Sequence, residues 1–288
     1  NATEQSHFMG RWNVIREYAS SLKISLVGDL PIFVSHDSAD VWAHRELFLL
    51  DKNGMPEVVG GVPPDYFSKT GQRWGTVLYD WDAHRKENWR WWRERIKRIM
   101  RLFDMVRIDH FRGFHSAWAI PFKNKTAKKG QWLEGPKDEI LKVLIDEAGG
   151  ADKIIAEDLG IIPQEVVELR RRNNLKGIRV LQFAFDDKNP DNPHKPENIE
   201  ADTVVYTGTH DNDTTKGWWD KKQRRQVKSS MRENETICQT MIRIARESKA
   251  EIAIFPLQDI LELGSESRMN TPGTTGKNWN WKFSWDDI

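Results

Sequence analysis

The 288-residue chain carries 44 Lys and Arg against 43 Asp and Glu, a net charge of +1, so it has no basic field that would favour nucleic acid. Its one cysteine, Cys238, excludes an internal disulfide framework and a cysteine-based zinc site, and we expect an inert buried thiol there. No apolar run reaches the roughly 20 residues of a membrane span. The length is close to the roughly 250 residues of an α/β barrel and predicts one barrel-sized unit, residues 1–288.

Strands and helices alternate along the chain. Apolar spacing predicts helices at residues 12–22, 86–103, 137–147, 163–172 and 222–247. Short apolar runs predict strands at residues 24–29, 106–109, 154–157, 178–185, 203–207 and 251–257. Between the first strand and the second helix, the sequence predicts a hairpin turn at Asn53-Gly54 and a Gly/Pro-rich loop at residues 60–64. This alternation favours a parallel sheet.

Six parallel strands are too few to close a barrel of eight. The sequence therefore predicts either an open, doubly wound sheet or a (β/α)8 barrel with two strands outside this chain.

Three of the predicted strands lead into a carboxylate: Asp109, Glu157 and Asp211. The C-terminal ends of barrel strands form the active-site face. Carboxylates that meet there predict glycosidic-bond chemistry, which needs a nucleophile and a proton donor. The structural alternative is a set of buried strand-end acids held by arginine. Their occurrence on three separate strands favours catalysis.

Six segments of the chain resemble motifs of one known family. They are residues 28–34, 63–68, 71–75, 107–113, 156–160 and 206–213. In number and order they resemble the 4-α-glucanotransferases, also called amylomaltases or disproportionating enzymes, of the α-amylase clan. The resemblance implies a TIM-type (β/α)8 barrel, of which this chain would carry strands three to eight, with further family segments before residue 1 and after Trp285. Residues 30–82 would be an insertion after the third strand that carries a lid loop at residues 60–76.

The resemblance also implies a retaining transglycosylation on α-1,4-glucans. Asp109 would be the nucleophile, Glu157 the general acid and then the general base, and Asp211 the group that binds sugar hydroxyls and stabilises the transition state. Arg107 lies two residues before Asp109 on the same strand face and can stabilise its ionised form. The apolar run before Glu157 offers the desolvation that raises the pKa of a general acid.

Further substrate-binding residues follow from the same motifs: Asp29, Tyr66, Phe67, Trp74, Arg107, His110 and His210. Asp29 either contacts substrate or orients Arg107, and each histidine either contacts sugar or pairs with a nearby carboxylate. The three aromatic residues would form a lid that excludes water and stacks on sugar, or else a cluster that anchors the loop. Most of the 14 tryptophans are expected to be core or structural aromatics, although sugar-binding clefts also use flat rings as stacking platforms.

The expected donors are maltooligosaccharides, amylose, starch or glycogen, and the expected acceptors are glucose or a maltooligosaccharide. We expect no metal, cofactor, nucleic-acid partner or membrane partner, and a cytoplasmic location, or the plastid in a plant. Two alternatives stay open: an α-glucan hydrolase of the same clan and a non-catalytic glucan-binding remnant. The loop at residues 63–75 favours the transferase.

Overall fold

The computed structural model describes residues 2–64, 68–185, 189–221 and 225–287. The chain forms two compact units, Asn1–Lys176 and Gly177–Ile288. Each unit contains a three-stranded parallel sheet. In the described ranges, no helix combines the length and the apolar character that a membrane crossing requires.

The strands and helices are as follows. The β-strands are β1 Val27–Pro31, β2 Val58–Val62, β3 Gln72–Val77, β4 Met105–Asp109, β5 Ser116–Pro121, β6 Gln131–Glu134, β7 Ile154–Ala156, β8 Gly177–Val180, β9 Thr203–Tyr206 and β10 Ile252–Ile254. The α-helices are α1 Ala2–Ser21, α2 Ala39–Ala43, α3 Trp81–Lys86, α4 Arg90–Leu102, α5 Asp138–Ala148, α6 Gln164–Arg172, α7 Leu181–Ala184, α8 Thr215–Lys221, α9 Arg225–Lys228, α10 Ile237–Glu247 and α11 Leu257–Ile260.

The parallel sheet of the first unit has the order β1-β4-β7, which follows the chain order. Asp29 pairs with Arg107, and Ile108 pairs with Ala156. The C-terminal ends of all three strands therefore lie at one edge of the sheet. The parallel pairing was predicted correctly, and it brings the residues that follow β4 and β7 to neighbouring positions.

A four-stranded antiparallel sheet, in the order β3-β2-β5-β6, also belongs to the first unit. The sequence analysis missed β5 and β6, and its loop at residues 60–64 was partly wrong because β2 runs through Gly60 and Gly61. These glycines allow a close approach of backbones, since a Cβ at Gly61 would lie 2.2 Å from the carbonyl oxygen of Gln72. The predicted turn at Asn53-Gly54 is present, and an isolated antiparallel bridge joins Leu50 to Pro56 across it.

The predicted helix at residues 86–103 begins later in the structure, where α4 spans Arg90–Leu102 and the separate helix α3 ends at Lys86. Asn88 and Trp89, which lie between α3 and α4, adopt left-handed backbone angles, φ 56° and 59°, and so keep the two helices separate. The predicted apolar face is correct for α4, where Trp92 and Ile96 are 0% exposed. Among the residues that the structure describes, the buried tryptophans are Trp89, Trp91, Trp92 and Trp218, and Trp81, Trp118 and Trp219 are partly buried against core clusters.

The sheet of the second unit has the order β8-β9-β10. The strand predicted at residues 178–185 ends at Val180, and α7 follows directly. The single helix predicted at residues 222–247 was wrong: residues 222–224 lie outside the described residues, and the rest of the range contains two separate helices, α9 and α10. The hydroxyl of Thr236 and the side chain of Gln239 form a capping box that fixes the start of α10. Cys238 on α10 is 1% exposed, and burial raises the pKa of its thiol to about 12, as expected for an inert thiol.

Candidate active site

Arg107 joins two carboxylates at the edge of the first unit's parallel sheet. Its Nη1 donates to both oxygens of Asp29 at 2.8 and 2.7 Å, and its Nη2 donates to Asp109 Oδ1 at 2.8 Å. Such charge-assisted contacts fix the guanidinium plane. Asp29 therefore orients Arg107, which was one of its two predicted roles. Arg107 in turn holds the Asp109 carboxylate on the same strand face.

Glu157 follows β7 beside the end of β4. Its backbone N–H donates to the carbonyl of Ile108 at 3.0 Å, which continues the parallel pairing for one residue. Its side chain accepts two backbone hydrogen bonds, from His110 N–H to Oε2 at 2.7 Å and from Leu159 N–H to Oε1 at 2.8 Å. The carboxyl is thus held in one orientation by main-chain donors.

Burial controls the ionisation of Glu157, which is 9% exposed. Desolvation is the largest cause that raises its pKa, and the negative charge of Asp109 raises it further. Arg107 and the two backbone hydrogen bonds act in the opposite direction, but the net result is a pKa of about 7. The carboxyl therefore exists in both protonation states near neutral pH, as a group that gives and later takes a proton requires.

His110 contributes through its backbone as well as its ring. Its left-handed φ of 53° is uncommon for a residue with a side chain, and it aims the N–H at Glu157. Burial lowers the pKa of the imidazole to about 4, so the ring is neutral at pH 7. The sequence analysis missed this backbone role, and that of Leu159, because a main-chain donor has no residue signature.

Trp74 on β3 is the described member of the predicted aromatic lid. It is 38% exposed, and its ring meets the His110 ring edge-to-face, with centroids 4.7 Å apart. Trp74 therefore lies next to the residue that holds Glu157. The other two lid residues, Tyr66 and Phe67, lie outside the described residues.

Asp211 and His210 belong to the second unit, in the loop between β9 and α8. The Asp211 side chain is 50% exposed, and its Oδ1 lies 3.6 Å from His210 Nε2. The indole of Trp279 packs against the His210 ring, with centroids 5.1 Å apart. Asn270 Nδ2 donates to Asp211 Oδ1 at 2.6 Å, a contact that the sequence analysis missed.

The structure brings six predicted site residues together within the first unit: Asp29, Trp74, Arg107, Asp109, His110 and Glu157. His210 and Asp211 are neighbours in the second unit. Among the described residues, no group of three or more His, Cys, Asp or Glu side chains has the arrangement of a metal site.

An arginine-held carboxylate beside a buried glutamate of raised pKa is typical of enzymes that act on glycosidic bonds. Comparison with known proteins defines the family. The chain belongs to the 4-α-glucanotransferase family, whose profile matches residues 1–286.

Individual relatives agree with this membership. The chain is 48% identical to "4-alpha-glucanotransferase, chloroplastic/amyloplastic" of Solanum tuberosum over 97% of its length and 49% of that protein. It is 46% identical to the 4-alpha-glucanotransferase of Thermus thermophilus over 98% of its length and 59% of that protein. The chain thus spans about half the length of the relatives that it matches.

A solved structure has the same fold over nearly the whole chain. The amylomaltase of Streptococcus agalactiae in complex with acarbose aligns with a TM-score of 0.93 at 35% identity. The alignment covers 98% of this chain and 58% of that one. This chain therefore has an α/β fold similar to that of an amylomaltase.

Proposed function

We propose that this chain carries the catalytic residues of a retaining transglycosylase that transfers α-1,4-glucan segments. The observation that carries the proposal is the pair formed by Asp109, held by Arg107, and Glu157, whose pKa is raised to about 7. A retaining reaction needs one carboxylate to attack and one carboxyl to donate a proton. Membership of the 4-α-glucanotransferase family supports the transferase over the hydrolase and the non-catalytic remnant.

In the proposed first step, Asp109 attacks the anomeric carbon of the donor glucan. The glycosidic bond breaks, and its oxygen takes the proton of Glu157 as the reducing-end fragment leaves. The product of this step is a glucosyl ester on Asp109. Arg107 orients Asp109 for this attack, because its guanidinium donates to Oδ1 at 2.8 Å.

In the second step, the hydroxyl of an acceptor sugar attacks the ester carbon. Glu157, now ionised, removes the hydroxyl proton, and the Asp109 carboxylate is released. In this proposal Asp211 binds sugar hydroxyls and stabilises the oxocarbenium-like transition state. Sugar contact by His210, His110 and Asp29 is also part of the proposal.

Exclusion of water would decide between transfer and hydrolysis. The edge-to-face contact of Trp74 with His110 supports the proposed aromatic lid, to which Tyr66 and Phe67 would contribute. We further propose that residues 30–82 form the insertion that carries this lid at residues 60–76. The parallel order of β1-β4-β7 and of β8-β9-β10 supports six strands of a TIM-type barrel.

The proposed donors are maltooligosaccharides, amylose, starch or glycogen, and the proposed acceptors are glucose or a maltooligosaccharide. The similar amylomaltase complex with acarbose supports a carbohydrate ligand. The role would be in carbohydrate metabolism. A cytoplasmic location, or the plastid in a plant, stays a prediction, and the name of the potato relative places that protein in chloroplasts or amyloplasts.

Incubation of the protein with maltotriose tests the proposal. We expect glucose and a ladder of longer oligosaccharides, and loss of both products in Asp109→Asn, which keeps the side-chain shape but removes the nucleophile. Only shorter products would favour the hydrolase. Binding of maltotriose by a folded protein without turnover would favour the remnant.

A further inference from the structure

A second segment of the chain, residues 268–270, holds the loop that carries Asp211. Asn270 makes two contacts with this loop. Its Nδ2 donates to Asp211 Oδ1 at 2.6 Å, and its backbone N–H donates to the carbonyl of His210 at 3.1 Å. One residue therefore fixes both the main chain and the carboxylate of the proposed transition-state group.

Arg268 links the same two segments, because it donates to the carbonyls of both Asp211 and Asn270. Its Nη2 donates to the carbonyl of Asp211 at 2.7 Å, and its Nε donates to the carbonyl of Asn270 at 2.8 Å. A planar guanidinium that donates on two sides sets the distance between the two segments. The register of Asn270 against Asp211 is thus fixed by backbone contacts on both sides.

The holding segment is itself anchored in the second unit. Gln258 Nε2 donates to the carbonyl of Ser267 at 3.2 Å in a buried position. On the other side, Trp279 N–H donates to the carbonyl of Met269 at 2.8 Å, and the Trp279 ring contacts His210. The segment that carries Asn270 is therefore held on both sides by hydrogen bonds, and Asn270 contacts the partly exposed Asp211 from it.

The two oxygens of Asp211 have different surroundings. Oδ1 receives the Asn270 hydrogen bond, whereas no hydrogen bond to Oδ2 comes from any residue that the structure describes. A carboxylate accepts hydrogen bonds through both oxygens. With Oδ1 held, rotation about the side-chain bond is restricted and Oδ2 is presented for the hydroxyl groups of a ligand.

We infer that Asn270 is a positioning residue that orients the Asp211 carboxylate toward the sugar in the transition state. This inference rests on the proposed transglycosylation, because the transition-state role of Asp211 belongs to that proposal. The essential property of Asn270 is its N–H donor and not its volume. Aspartate has nearly the same shape but presents an oxygen in place of the donor, so it separates the two properties.

The experiment compares Asn270→Ala and Asn270→Asp with the wild type, using maltotriose as substrate and kcat, KM and Tm as readouts. We expect Asn270→Ala to lower kcat by about 10- to 100-fold, because misplacement of a catalytic group by about 1 Å costs up to about 100-fold. KM and Tm should stay close to wild type. Asn270→Asp should be less active than Asn270→Ala at pH 7.5, because two carboxylates then repel one another.

The pH dependence of activity distinguishes an orienting role of Asn270 from a role in packing, because packing alone would not change it. As pH falls, the carboxyl introduced by Asn270→Asp gains a proton and can donate to Asp211, so the activity of this variant relative to wild type should rise. The control is Asn198→Ala, which removes an amide that donates to the carbonyls of Pro190 and Asn192 at 2.6 and 2.9 Å, and it should keep wild-type kcat.

An Asn270→Asp variant that is as active as wild type, or more active than Asn270→Ala at every pH, would overturn the inference in favour of space filling. If Asn270→Ala lowers Tm strongly, the isosteric Asn270→Asp variant and its pH profile decide alone. A wild-type protein without turnover would instead refute the proposed function, so the two failures are distinguishable.

Discussion

Replacing Glu157 by Gln isolates the cost of burying the charge of this side chain. Burial, followed by the charge of Asp109, raises the pKa of Glu157 from 4.5 to about 7 in the folded protein. The unfolded chain loses the proton at lower pH, so the folded state binds more protons between these values. The free energy of unfolding of the wild type therefore falls as pH rises from about 4.5 to about 7. Gln does not titrate and avoids this loss.

The size of the effect follows from the shift, at about 1.4 kcal/mol for each pKa unit. We expect the difference in unfolding free energy between Glu157→Gln and wild type to grow by about 2.5 kcal/mol in favour of the variant from pH 5 to pH 8. The comparison of two pH values cancels the constant cost of placing an amide against the N–H groups of His110 and Leu159.

Urea unfolding followed by tryptophan fluorescence at pH 5 and pH 8 measures this difference. The control is Glu17→Gln on the exposed face of α1, which should change stability by the same small amount at both values. A difference for Glu157→Gln that is independent of pH would refute the reasoning. It would mean that the charge of Glu157 is as well solvated in the folded protein as in the unfolded chain.

Three further outcomes follow from the structure. Arg170 and Asp158 form an ion pair inside the first unit, with side chains 0% and 2% exposed. Arg170→Met leaves the charge of Asp158 buried without this cation, so it should lower the unfolding free energy by about 3–5 kcal/mol in urea titrations. The exposed control Arg98→Met should leave the unfolding free energy unchanged. His84 is fully buried, and burial lowers its pKa from 6.5 to about 4. Its neutral form therefore contributes stability above pH 6.5 that is lost as pH falls toward 4. His84→Phe should reduce the loss of Tm between pH 7 and pH 5, and an unchanged loss would contradict this. Trp74→Ala opens the proposed lid and should raise the ratio of hydrolysis to transfer several-fold with maltotriose, and an unchanged ratio would show that this ring does not exclude water.

The carboxylates at the ends of β4 and β7 could be predicted from the sequence. Each follows a short run of apolar residues, and Val106, Ile108 and Ile155 are indeed 0% exposed in the core. A run of this kind specifies a buried parallel strand, and the polar residue after it must lie at the sheet edge. The pairing of Arg107 with Asp109 was also predictable, because residues two apart share a strand face.

Other features have no comparable signal. The N–H groups of His110 and Leu159 that hold Glu157 are main-chain donors, which every residue except proline possesses. Asn270 reaches Asp211 from a segment 59 residues further along the chain, and no periodicity predicts such a contact. The helix predicted at residues 222–247 failed because apolar spacing was weighed without the capping signal at Thr236.

The most direct test of the central claim is to find the covalent intermediate on Asp109. Glu157→Gln with α-maltosyl fluoride should accumulate it, because fluoride leaves without a proton whereas the second step still needs a general base. We predict that mass spectrometry of peptide digests shows one maltosyl unit on the peptide that contains Asp109, and none in Glu157→Gln combined with Asp109→Asn. A maltosyl group on another residue, or turnover of the fluoride at the wild-type rate by the Asp109→Asn variant, would contradict the account.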